Sequence, residues 1–238
     1  MSDDPVEAKL TVDDYAIIGE TLYAIDLDEW ERAFRLMERI DDPLAAKLFR
    51  WHALLNDRSD ANFSDLARFV IDNPTWPQTE TLQTKAEDRL TDSADKKLTL
   101  ELFETYEPLT TRGRVRYAEA LLEADRTDEA VRQVKLAWMS GDFSKTEERA
   151  FLNRHQQHLN GDDHHQRLDH LLWDRRWQAS KRMISRVSED RQTLAKARLA
   201  LQQRAGGVDA AVDAVPTFLA KDPGLLFDRI RWRRQKRK

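Results

Sequence analysis

Five of the six histidines lie between residues 155 and 170: His155, His158, His164, His165 and His170. On a helix His155 and His158 share a face, and His165 with Asp169, four residues on, presents two donors of the kind a divalent ion takes. A zinc protease would need a Glu directly after the first His of a His-x-x-x-His pair, and none follows His155. The cluster reads as a polar helix–turn–helix rich in His and Gln, and no metal or cofactor is assigned to it. Carboxylates stand in adjacent pairs at Asp41-Asp42, Glu147-Glu148 and Asp162-Asp163. Glycoside cleavage uses two carboxyl groups across a cleft, one with a raised pKa. Nothing local marks such a pair here. Each pair also reads as a cap, a first-turn acid favoured by the helix dipole, or a solvated face. No catalytic residue is assigned.

Other chemistries are excluded more firmly. There is no cysteine, so disulfides, thiolate metal sites and a cysteine nucleophile are absent. The seven glycines are scattered, with only Gly206-Gly207 adjacent, so there is no Gly-rich phosphate loop and no Gly-x-Ser-x-Gly elbow. Seven tryptophans are many for this length, and at helical spacing they are expected in the core. Trp76 is different. It falls in a loop between Pro74 and Pro77, expected to be stiff and extended. An indole at the mouth of a groove can stack on a sugar ring, so Trp76 is the one candidate contact for a glycan or a partner. The last ten residues hold Arg229, Arg231, Arg233, Arg234, Lys236, Arg237 and Lys238 with no acid. Removing these seven leaves 32 bases against 43 acids, so residues 1–228 carry −11. A single-strand binder would interleave aromatics, and only Trp232 is there. The tail reads as a helix end that favours cations, and nucleic acid is not the expected partner.

The elements that must position these residues are helices. Tyr15, Ile18, Leu22 and Ile25 recur at spacings of three and four, as do Trp30, Phe34, Met37 and Ile40. Pro43 suits a first turn, followed by a face of Leu44, Leu48, Trp51 and Leu55. Asn62 is a cap for a helix carrying Leu66, Phe69 and Val70, which stops at Asn73-Pro74. Further helices are predicted at about 78–91, 94–106, 110–125, 127–140, 144–159, 162–174, 176–187, 189–205, 208–221 and 223–238. Ser144 with Glu147 makes a capping box, Gly206-Gly207 a stop, and Pro216 a break. No segment alternates with period two, so the chain is predicted all-α.

A weak repeat organises these helices. Trp30, Thr127 and Trp177 each open a helix, with Ala33, Ala130 or Ser180 three residues on and Met37, Val134 or Ile184 seven on. Ile25, Leu122 or Leu172 precedes each by five. One hairpin of this kind cannot bury its apolar face alone, whereas stacked hairpins can. The expected architecture is an irregular superhelix, an α-solenoid of antiparallel helix hairpins, tetratricopeptide-like without the regular 34-residue period. It spans 13–238 as one domain after a flexible segment, 1–12.

Composition agrees. The 238 residues allow one large domain or two small ones, with 40% hydrophobic and 34% charged residues. Seven glycines and seven prolines are too few for the many tight turns of an all-β fold. No apolar run approaches the roughly 18 residues of a membrane helix. The opening Met-Ser-Asp-Asp-Pro-Val-Glu has neither the basic nor the apolar region of a secretory signal. That fits a cytoplasmic protein or one whose signal has been removed.

Several stretches carry a family resemblance: DLDEWERAFRLMERIDDPLAAKLFRWHAL (26–54), FVIDNPTWP (69–77), EALLEADRTDEAVRQVKLAWMSGDFS (119–144), LDHLLWDRRWQASKRM (168–183) and DPGLLFDRIRWRR (222–234). Together they resemble the N-terminal α-superhelical region of soluble lytic murein transglycosylases. The resemblance implies a periplasmic setting and a parent enzyme that cleaves the MurNAc–GlcNAc bond of peptidoglycan without water. It implies a U-shaped helical scaffold, cut short at its C-terminal end and without catalytic residues, whose partners are glycan strands and a separate lysozyme-like catalytic domain. Leu225, Leu226, Ile230 and Trp232 would then lack their packing partners. The reading that competes with it is a cytoplasmic tetratricopeptide-like adaptor gripping a partner protein in its groove.

Overall fold

Short polar side chains open many of the helices. In the computed structural model, which describes residues 10–236, Thr11, Asn62, Ser144 and Asn160 each accept a hydrogen bond from the backbone N–H three residues on. The acid at that third position returns a bond to the cap's own N–H, closing a capping box. Asp42 accepts from the Ala45 N–H at 2.7 Å, with Pro43 at the first helical position as expected. Each such cap is worth about 1 kcal/mol.

The fold is all-α, with no strand among the described residues, and it forms two compact units divided between Ala120 and Leu121. The first holds α1 (Val12–Asp26), α2 (Trp30–Met37), α3 (Pro43–Leu55), α4 (Phe63–Asp72), α5 (Thr79–Asp88), α6 (Lys96–Thr105) and most of α7 (Thr111–Glu123). The second holds α8 (Thr127–Ser140), α9 (Lys145–His155), α10 (Gly161–Trp173), α11 (Trp177–Met183), α12 (Glu189–Gln203), α13 (Val208–Asp213) and α14 (Pro223–Lys236). Short 3₁₀ turns follow α9 and α11, and another follows Pro216, which separates it from α13 as the sequence predicts. Residues 1–9 of the expected flexible segment 1–12, and Arg237 and Lys238 of the basic tail, lie outside the described residues.

The repeat read from the sequence is a repeated backbone corner. Asp28, Asp125 and Arg175 each sit in the left-handed region at φ 57–59°. The following residue donates its N–H across the turn: Glu29 to the Ala24 carbonyl, Arg126 to Leu121 and Arg176 to Leu171, each at 2.9 Å. The left-handed residue itself donates to Ile25, Leu122 or Leu172. This is a Schellman closure, which uses up carbonyls that a helix end leaves unpaired. Ala33, Ala130 and Ser180 are then fully buried, because only a small side chain fits where the returning helix crosses. Arg204 makes the same closure at the end of α12, two residues before the expected glycine stop.

The main helix contacts are local in sequence. In the first unit α1 packs on α2, α2 on α3, α3 on α4 and α5, and α4 on α5 and α6. In the second, α8 packs on α10, α10 on α11 and α12, and α12 on α13 and α14. Periodicity located the helices better than it located their buried faces. Leu66, Phe69, Val70, Trp30, Met37 and Ile40 are buried as expected. Tyr15 and Leu22 on α1, and Leu44 and Leu48 on α3, are exposed instead; Ala24, Ile25, Ala53 and Leu54 form the core there. A 3.6-residue period marks an amphipathic stripe, but the neighbour's position decides which flank of the stripe is covered. Tryptophan follows the same rule. Trp30 and Trp138 are buried, while Trp173 and Trp177 at helix ends remain exposed. At the last helix Leu225 is buried and Trp232 packs on the α12–α13 core, whereas Leu226 and Ile230 are uncovered.

Candidate functional site

The cleft with the most varied chemistry lies in the first unit. It encloses about 450 Å³ and joins an apolar wall of Phe34, Met37, Ile40 and Phe69 to the cations Lys47, Arg50 and Arg68, with the carboxylates Glu38 and Asp72 also in its lining. α2, the connection after it (Glu38 and Ile40), α3 and α4 supply these side chains, and the cleft forms where the three helices pack in succession. Arg50 pairs with Asp65 at 3.5 Å, and Arg68 reaches both oxygens of Glu101 at 2.9 and 3.1 Å. Lys47 has no carboxylate partner among the described residues. Its ammonium stands 5.3 Å from the centre of the Trp76 ring.

Trp76 borders this cleft. Its ring meets Phe69 edge to face at 6.2 Å, and it is half-buried. The loop that carries it is a turn, and the expectation of an extended run is corrected: the Trp76 N–H donates to the Asn73 carbonyl at 3.1 Å. Trp51 holds the far side of the turn by donating its indole N–H to the Pro77 carbonyl at 3.0 Å. The Trp76 indole N–H is buried and meets no acceptor among the described residues. Such a donor costs about 1–3 kcal/mol unless a water or a ligand oxygen completes it.

The histidines are spread through structural roles. His164 accepts from the Trp138 indole N–H through Nδ1 at 3.1 Å, which requires that nitrogen to be unprotonated. Burial lowers the pKa of His164 and of His165, with nearby arginines adding to it. His155 is buried against Phe151, and His170 faces Asp174 at 3.2 Å. Among the described residues no three of His, Asp and Glu converge as a metal would require. The carboxylate pairs are likewise divided. Asp42, Glu147 and Asp163 serve helix starts, and Glu148 is a buried partner of Arg182 at 2.9 Å. Asp14, Glu129 and Asp142 each have a clearly lowered proton affinity. The Thr11 N–H and hydroxyl hold down Asp14, Arg126 holds down Glu129, and Arg176 holds down Asp142. A general acid for glycoside cleavage needs the opposite displacement.

Sequence reading missed the buried charges. Glu87 is fully buried and accepts from Gln83, from the Leu109 N–H at 2.9 Å and from the Thr110 N–H at 2.6 Å. It thereby caps the start of α7, and only a glycine fits at 113, where a Cβ would lie 2.3 Å from its carboxylate. Arg167, fully buried, lies 4.4 Å from the Trp138 ring centre and 5.0 Å from Phe143, donates to the Gly141 carbonyl at 3.0 Å, and is lowered by desolvation to about 10. Arg198 donates to Asp228 at 3.0 Å and to Asp169 at 2.6 Å, while Gln202 bridges Asp228 to the Leu172 carbonyl. No residue pattern marks such arginines, because Arg is usually a surface residue. No protein-family model, curated protein or solved structure matches the chain.

Proposed function

We propose that this chain is a non-catalytic helical scaffold of the lytic murein transglycosylase type, acting in the periplasm, which holds peptidoglycan for a separate catalytic domain. The observation that carries the reading is the repeated corner. It recurs inside three of the five stretches that resemble the family, 26–54, 119–144 and 168–183, each time with a left-handed residue (Asp28, Asp125 or Arg175) and a small buried side chain five residues on (Ala33, Ala130 or Ser180). Packing of helices on neighbours one and two along also supports a stack of hairpins, the expected superhelix. Within the first unit the Trp76 corner supplies an aromatic ring and a cation without a carboxylate partner. Those groups suit a sugar ring bearing an acidic peptide stem.

The scaffold contributes position, with no bond cleavage of its own. Incubated with insoluble purified peptidoglycan, the chain should sediment with the pellet and release no soluble muropeptides. A chain that stays in the supernatant would favour an adaptor for a partner protein, and muropeptide release would sink the non-catalytic reading.

A further inference from the structure

Two helices carry apolar residues on surfaces left exposed among the described residues, and they differ in charge. On α1, Val12 (85% exposed), Tyr15 (64%), Leu22 and Tyr23 run along one stripe, continued by Leu27 beyond the helix end. A Cβ at Gly19 would meet nothing, so the stripe has a shallow notch between Tyr15 and Leu22. On α14, Leu226, Phe227 and Ile230 (60% exposed) form a second stripe, widened by Trp173, whose ring lies 5.4 Å from Phe227. Residues 11–28 contain five acids and no base; Asp14 is buried and Asp28 pairs with Arg58 at 2.7 Å, which leaves Asp13, Glu20 and Asp26 exposed beside the stripe. Residues 223–236 contain five bases and one acid, Asp228, which is buried against Arg198.

We propose that these two stripes are the two halves of one interface, with α1 of one copy docking on α14 of a second copy. Charge decides between the possible pairings. An α1–α1 contact would set acid against acid and an α14–α14 contact base against base, so symmetric pairing through either face is opposed. Head-to-tail contact buries both apolar stripes and sets the exposed Asp13, Glu20 and Asp26 opposite Arg229, Arg231, Arg233 and Arg234. Exposed apolar patches rimmed by charge are the usual mark of an interaction surface.

Sedimentation velocity on the whole chain tests this. The apparent mass should rise above 27.8 kDa with concentration. It should fall back as salt is raised toward about 1 M, where screening is nearly complete over a few ångströms. The variant pair Tyr15→Ser/Leu22→Ser breaks one stripe, and Phe227→Ser/Ile230→Ser breaks the other. All four positions are exposed, so circular dichroism should be unchanged. Each double variant alone should be monomeric, and an equimolar mixture should form a one-to-one complex through the two intact faces, which then grows no further. A wild-type chain that stays monomeric up to about 100 μM, weaker than any association worth the name, overturns the proposal. So does a mixture of the two variants that yields only monomers, or a double variant that associates as the wild type does.

Discussion

The two units hold buried charge differently, although the second also buries the carboxylates Glu148, Asp163 and Asp228. The first buries anions, Asp14 and Glu87, and satisfies them with neutral N–H and O–H donors at helix starts. The second buries cations, Arg167 and Arg198, and satisfies them with carboxylates, backbone carbonyls and aromatic faces. A carboxylate held by backbone N–H groups fixes where a helix begins. An arginine held between rings and carboxylates ties together helices distant in sequence, as Arg198 ties α12 to Asp169 on α10 and Asp228 on α14. Buried charge punctuates the chain in the first unit; in the second, Asp163 does the same at the start of α10 while the buried arginines cross-link helices.

The largest effect that separates the two devices should come from breaking the cross-link. Asp228→Ala leaves Arg198 buried with one carboxylate fewer and should cost about 3–5 kcal/mol in chemical denaturation. Replacing both partners, Arg198→Met with Asp228→Leu, should recover most of that loss, since the cost lies in the orphaned charge. If the double variant is as unstable as the single one, the cluster acts by packing alone.

Glu87→Ala should cost less, about 2–3 kcal/mol, because the Leu109 and Thr110 N–H groups lose an acceptor but no opposite charge is stranded. Hydrogen exchange should show the loss concentrated at the start of α7. Protection lost evenly over the first unit would argue against a capping role.

Acid should then separate the units. His164 and His165 have lowered pKa values in the fold, so the folded state disfavours their protonation. Their contribution is complete above the unfolded value near 6.5 and is lost as pH falls below it. Asp14, also lowered, keeps its contribution until pH drops through the carboxylate range near 4. Protection in the second unit should therefore begin to weaken as pH falls below about 6.5, before the first unit responds. His164→Gln should flatten that early limb. A first unit that loosens at the same pH would contradict the assignment.

The smallest effect is a gain. Asp125 holds a left-handed conformation with a side chain that glycine would not need, so Asp125→Gly should stabilise the chain by about 0.5–1 kcal/mol. A loss on thermal melting would mean that the aspartate side chain does more than occupy the turn.

Much of the fold was legible because helix starts are written locally. Ser144 with Glu147, Asn62, and Asp42 before Pro43 each announced a boundary that the structure reproduces. The corners were legible as spacing, yet their left-handed residues were not, since Asp28, Asp125 and Arg175 stand where a glycine would have marked the turn. The exposed flanks of α1 and α3 were misread because a stripe does not say which of its sides meets a neighbour. Trp76 was singled out from its two prolines alone. Its neighbours Lys47 and Phe69 come from α3 and α4, and only the packing of those helices brings them to the same cleft.

The most direct measurement of the scaffold's role is a tryptophan-fluorescence titration with soluble peptidoglycan strands, comparing the wild type with Trp76→Phe and Lys47→Gln. A saturable change in the wild type that disappears in Trp76→Phe and needs several-fold more glycan in Lys47→Gln is the predicted result. Glycan binding detected by sedimentation with unchanged affinity in both variants would contradict the account, and would move the binding surface away from the Trp76 cleft.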